Sequence, residues 1–210
     1  MNSIEIYEKY LIPANLQMHM LRVAACGNII LEHWIGPKID KESIQRILLM
    51  HDMGNIVKIT SDQNNDPKFL ALRQSYIDQY GEDDHIINNA IARAEGITEK
   101  EIEIMDAKIL RNNELTAKSN SYEIKICAYC DQRVAPDGVV GILERLEELK
   151  TRHQKKGKGT MSDPKQAEKI IKSALEIEEQ IMKQCTIKPD EINDKTIDSY
   201  INQLKKQEIS

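Results

Sequence analysis

A chain of 210 residues is long enough for one substantial core and sits near the upper end of the range for a single domain. Hydrophobic residues at 40%, charged residues at 30% and only 4% aromatics favour helices over sheets. A formal charge of −5 excludes a general electrostatic pull toward nucleic acid or anionic lipid, and no run approaches the roughly 20 apolar residues of a membrane span.

The opening "MNSIEIYEKY" has neither the basic nor the apolar part of a signal peptide, so a cytoplasmic protein is expected. Four cysteines without a disulfide framework agree with a reducing compartment.

Apolar residues recur three and four apart almost throughout, which predicts an all-α protein. Helices are expected at about 15 to 34, 40 to 50, 67 to 80, 84 to 95, 98 to 111, 119 to 134, 138 to 152, 163 to 185 and 194 to 207. Pro13 and Asn15 precede the first, Asp40 precedes "KESI", "TEKE" from Thr98 reads as a capping box, and Ser162 to Pro164 opens the penultimate helix. Gly96 is placed to stop one helix, and Gly138 to turn the chain before another. "RHQKKGKGTMSDP" lacks periodicity and predicts a mobile loop, dividing a body of residues 1–152 from two polar C-terminal helices packed on it in 153–210.

Polar residues interrupt three of the apolar stripes. Ile44, Ile47 and Leu48 run on at the same spacing into His51 and Asp52 in "LLMHDMGN". His19 falls between Leu16 and Val23 on a face continued by Cys26 and Ile30, and Asp131 follows Cys127 by one turn in "YEIKICAYCDQRVA". Taken singly, His19 reads as a hydrogen-bonded core residue, and Asp131 as the partner of a buried arginine or a helix cap. Taken together, two inward imidazoles and two inward carboxylates point to one shared cation, because a buried carboxylate is costly unless it is paired or holds a metal. Such nitrogen and oxygen donors suit Mn²⁺, Fe²⁺, Co²⁺, Ni²⁺ or Zn²⁺ and commonly leave coordination positions open.

The order of "LQMHMLRVA", "LLMHDMGN" and "AYCDQRVAPDGV" resembles the HD-domain superfamily of metal-dependent phosphohydrolases, over roughly residues 12 to 152. The resemblance implies a helical bundle around a metal held by His19, His51, Asp52 and Asp131, and hydrolysis of a small phosphorylated metabolite, with nucleotides the first candidates. One divalent ion is expected, Mg²⁺ being admitted beside the five above, because only His85 is available as the extra histidine that two-metal branches carry. No membrane or nucleic-acid partner is expected, and a homodimer is compatible with the reading.

Two branches of that family carry glutamate or lysine three residues after the doublet aspartate, where this chain has Asn55. An amide can orient a water but cannot take its proton. Asn55 therefore supports an alternative, a regulatory module that binds metal or nucleotide without hydrolysis. For the hydrolase, Asp52, Lys58 and His85 are the expected catalytic groups, and Arg22, Lys58 and Asn55 the expected substrate contacts. Arg133, two residues past Asp131, points away from that ligand on an ideal helix.

Other signals are weaker. Cys127 and Cys130 form a C-x-x-C inside a helix without a second pair, which reads as core packing. "RHQKKGKG" reads as a solvated loop in an acidic protein. The leucine stripe of "GVVGILERLEELK", the segment that follows the last ligand in the family pattern, reads as packing, and neither a phosphate-binding glycine loop nor a nucleophile elbow occurs.

Overall fold

The computed structural model describes residues 1–209. It is all-α: α1 (Ser3–Lys9), α2 (Ala14–Glu32), α3 (Lys41–Met50), a 3₁₀ turn (Met53–Lys58), α4 (Pro67–Tyr80), α5 (Asp84–Ala94), α6 (Glu99–Ala107), α7 (Asn113–Lys118) and α8 (Tyr122–Asp131). A two-stranded hairpin, β1 (Val134–Ala135) with β2 (Gly138–Val139), then leads into α9 (Ile142–Lys156), α10 (Pro164–Met182) and α11 (Asp194–Leu204). No helix among the described residues is long and apolar enough to cross a membrane.

Local chemistry accounts for the helix boundaries. The Asp40 carboxylate accepts the Ser43 N–H at 3.1 Å to start α3, and Thr98 and Glu101 form the reciprocal capping box of α6. Asp163 caps α10 with Pro164 in its first turn, and Gly96 beyond α5 takes a φ of +81°, a left-handed conformation that costs glycine little.

Several expected boundaries are corrected. The helix expected to reach residue 134 stops at Asp131, and the next starts at Ile142, because "APDGV" builds a tight antiparallel turn: Pro136 disfavours helix at the residue before it, and Val134 pairs with Val139. The segment read as a loop is helical as far as Lys156, leaving only 157–163 between α9 and α10. The short α1 and α7 carry too few residues to show a period and were not anticipated.

The last two helices are amphipathic, and each buries a face in the core. Ala167, Ile170, Ala174, Ile177 and Ile181 form the buried stripe of α10, which packs on α7, α8 and α9, while α11 packs on α2. Arg133 is buried and its guanidinium donates to the Tyr129 hydroxyl and to the carbonyls of Val140, Pro189 and Ile192, tying α8 and the hairpin to the segment before α11. Its expected turn away from Asp131 is thus accompanied by a structural role. One hydrophobic core runs from Ile6 and Tyr7 in α1 to Leu204 in α11.

Candidate metal centre

Two close approaches bring the candidate ligands together. A Cβ on Gly27 would lie 2.4 Å from Leu48 Cδ1, so the glycine makes room for the Leu48 side chain where α2 and α3 meet. A Cβ on Gly54 would lie 2.0 Å from the Asp84 carbonyl oxygen, so the start of α5 rests directly on the 3₁₀ turn. Buried Asn88 closes that contact by accepting the Gly54 N–H at 3.0 Å.

The end of α3 sets the first ligand. Its last carbonyls need partners, and two are supplied locally: the Tyr7 hydroxyl donates to Leu49 O at 2.7 Å, and His51 Nδ1 pairs with Leu48 O at 2.8 Å. A carbonyl can only accept, so Nδ1 carries a proton and Nε2 is the ring nitrogen left to act as a ligand. That Nε2 is buried without a hydrogen-bond partner and faces carboxylates, with Asp131 Oδ1 at 3.4 Å and Asp52 Oδ2 at 3.8 Å.

His19, on α2, points Nε2 at the same two groups, 3.5 Å from each, and its ring centre lies 5.4 Å from that of His51. Burial works against a charge on His19, and the adjacent carboxylates of Asp131 and Asp52 outweigh it, raising its pKa. For Asp131 burial favours the neutral acid, yet the Lys108 ammonium and the imidazoles hold its carboxyl well below the usual range.

His19, His51 and Asp131 each bring one donor atom within 4.8 Å of the other two, and this group could hold a metal ion. Two donors at about 2.1 Å from a common ion stand about 3.0 to 3.4 Å apart for octahedral to tetrahedral angles, close to the 3.5 and 3.4 Å that separate Asp131 Oδ1 from Nε2 of His19 and of His51. The donor chemistry fits as well, since imidazole nitrogens and a carboxylate oxygen are donors that a divalent ion takes.

Asp52 borders the group without burying itself. Its side chain keeps 27% of its exposure, because α3 ends at Met50 and the chain leaves helical geometry at Asp52 with φ −125°, so the stripe no longer directs it inward. Asp131, expected on the core side, also stays 30% exposed at the floor of a groove.

The groove has two lobes that share Asp52, Asn55, Lys58 and Asp131. One holds His85, Lys108, Arg111 and Thr160 with Asp84 and Asp106; the other holds His19, Leu16, Ile59, Gln63 and Arg145. Lys58 pairs with Asp84 at 2.6 Å, and His85 is half exposed beside the same carboxylate. The Asn55 amide oxygen is buried and has no hydrogen-bond partner.

Arg22 is a correction. It was expected to contact substrate phosphate, but its guanidinium donates to Pro136 O at 3.2 Å and it lines a separate depression with Asp137, Asp194 and Asp198. One turn along α2 from His19 points it at α11 and at the hairpin turn, whose Pro136 borders the lobe that holds His19.

Besides Arg111, two cations at the groove fall outside the expected set. Lys108, buried at the end of α6, places Nζ 2.8 Å from Asp131 Oδ2. Burial disfavours its charge, but Asp131 and Asp52 more than restore it, so its pKa is raised. Taken singly, Asp131 was expected to pair with a buried arginine or to cap a helix; its partner is a buried lysine, which occupies Oδ2 and leaves Oδ1 facing the imidazoles. Arg145, from α9, keeps 12% of its side-chain exposure. Both lay on apolar stripes, Lys108 after Ile104 and Met105, and Arg145 between Ile142 and Leu149, so the signal that marked His19 could have found them.

Cys127 and Cys130 are fully buried and join no donor group, in keeping with a packing role. In comparisons with family models, with curated proteins and with solved structures, nothing matches the chain.

Proposed function

We propose that the protein is a divalent-metal-dependent phosphohydrolase of the HD-domain type, acting on a small phosphorylated metabolite, with nucleotides the first candidates. The observation that carries this reading is His51 Nε2, buried, without a hydrogen-bond partner and facing the carboxylates of Asp131 and Asp52. His19, His51 and Asp131 would hold the ion, with Asp52 beside them. A bound divalent ion supplies a Lewis acid that polarises a phosphoryl oxygen and acidifies water.

The chain's own groups do the rest. Lys108 holds Asp131 Oδ2, which leaves Oδ1 toward the imidazoles and fixes the carboxylate's orientation. The unpartnered Asn55 amide oxygen accepts a hydrogen bond from the attacking water and so orients its lone pair toward phosphorus. Lys58 exchanges its exposed pairing with Asp84 for a non-bridging phosphoryl oxygen, and half-exposed His85 in the same lobe is positioned to protonate the leaving oxygen. Water adds at phosphorus and gives up a proton to solvent, the ester or anhydride P–O bond breaks, and the leaving oxygen takes a proton from His85, which solvent then restores, so that one water is consumed for each bond broken.

Asn55 also favours a second reading, a module that binds metal and nucleotide without turnover, since no carboxylate stands at that position to take a proton. Purified protein with Mn²⁺, Co²⁺ or Ni²⁺, assayed against a nucleotide panel and a generic phosphodiester, separates the two. Product release abolished by Asp52→Ala at unchanged helix content supports the hydrolase, whereas saturable nucleotide binding with no product from any substrate overturns it in favour of the module.

A further inference from the structure

Arg145 reaches the groove from α9, the segment whose leucines suggested packing alone, and lines the lobe that holds His19 and Asp131. Its guanidinium is mostly covered, yet its contacts are incomplete. Nη1 pairs with Glu148 one turn along the helix, while Nε is buried and has no hydrogen-bond partner. Burial lowers its pKa, Glu148 counters that, and Asp131 is near enough to contribute in the same direction, but an arginine stays charged throughout. A buried donor without an acceptor has a cost that a substrate oxygen would relieve.

We infer that Arg145 is the residue that recognises the substrate's phosphate, in the role the sequence suggested for Arg22, and that the phosphate it takes is carried on an organic group. The inference rests on the phosphohydrolase reading. A guanidinium offers a planar fork to two non-bridging oxygens, and here Glu148 holds one end of the fork while the unpaired Nε remains for the ligand. The same lobe sets Leu16 and Ile59, both packed against the core, beside the charge. Leu16 and Ile59 give this lobe carbon surface beside Arg145 and Lys58, which suits the organic part of a phosphoester.

The test is calorimetric binding of Mn²⁺ and of inorganic phosphate to the Mn²⁺-loaded protein, with Arg145→Gln and Arg145→Lys compared to the parent and folding checked by circular dichroism. Arg145→Gln is expected to leave Mn²⁺ affinity within about twofold and to weaken phosphate by about 10-fold to 100-fold, the size of a charge-assisted hydrogen bond. Arg145→Lys should recover part of the loss. With 4-nitrophenyl phosphate as substrate, the loss should fall mainly on KM, and the parent should prefer that ester to tripolyphosphate. Unchanged phosphate affinity in a folded Arg145→Gln protein, or no phosphate binding by the parent, overturns the assignment. Phosphate binding that depends on Arg145 without hydrolysis of any ester preserves it and removes the hydrolase reading instead.

Discussion

Lys108 Nζ lies 2.8 Å from Asp131 Oδ2, a buried ammonium holding one oxygen of a carboxylate whose other oxygen faces two imidazoles. Replacing Lys108 with Met removes the cation but keeps most of the stem. Asp131 then loses its compensating charge, and the expected destabilisation is about 1 to 3 kcal/mol, limited because the carboxylate remains partly solvated. Saturating Mn²⁺ should restore part of that loss, since the ion takes over the compensation. Urea denaturation with and without Mn²⁺ measures both effects; equal losses under the two conditions would show that Lys108 and the ion do not share Asp131.

His51 offers the sharpest test of metal binding. An ion held only by the folded state, at 100 times its dissociation constant, adds about 2.7 kcal/mol. For a chain of this size that raises Tm by about 5 to 10 °C. His51→Ala should abolish the shift with Mn²⁺, Co²⁺ and Ni²⁺ alike, as followed by differential scanning fluorimetry. A shift that survives the substitution would place the ion elsewhere.

Gly54 carries the contact between the doublet turn and α5. A Cβ there would meet the Asp84 carbonyl oxygen at 2.0 Å and the Asn88 backbone nitrogen at 2.6 Å, and neither is a flexible side-chain end. Gly54→Ala should therefore cost at least about 1 to 3 kcal/mol as the turn and helix are forced apart. Because the same turn carries Asn55 and Lys58, turnover should fall beyond what the lost stability explains. Chemical denaturation and kcat/KM measured on the same preparation decide this.

The cysteines give a prediction that depends on pH. Burial pushes the Cys26 and Cys127 thiols up to about 12, and Cys185, which is only partly buried, to about 11. The thiolate is the reactive form, so at pH 8 native protein should alkylate slowly at Cys185 and negligibly at Cys26, Cys127 and Cys130. The Cys185 rate should rise about 10-fold per pH unit up to its pKa. Mass spectrometry of iodoacetamide-treated protein should find all four labelled only after denaturation, and rapid native labelling of Cys127 would contradict its placement in the core.

Much of this arrangement was legible in the residue order. Helices 67–80 and 84–95 were readable because period, caps and stop residues agreed within each segment. His19, His51 and Asp131 stood out because a polar group on an apolar stripe is costly, and such a group points to a partner before any partner is known. The break at "APDGV" was legible from Gly138, but the pairing of Val134 with Val139, which ends α8 at Asp131 and delays α9 to Ile142, has no period long enough to read in two-residue strands.

The chain alone determined which segments are helical, which faces they bury, and that three of those faces carry donors, because these depend on interactions a few residues apart. Packing decided which cations meet the donors. Arg22 and Arg145 both occupy plausible positions on their own helices, and only the docking of α2 against the hairpin and of α9 over the groove directs one away and the other in. A side chain's direction about its helix is set locally, whereas its distance from a group more than a hundred residues away is set by how the helices close on one another.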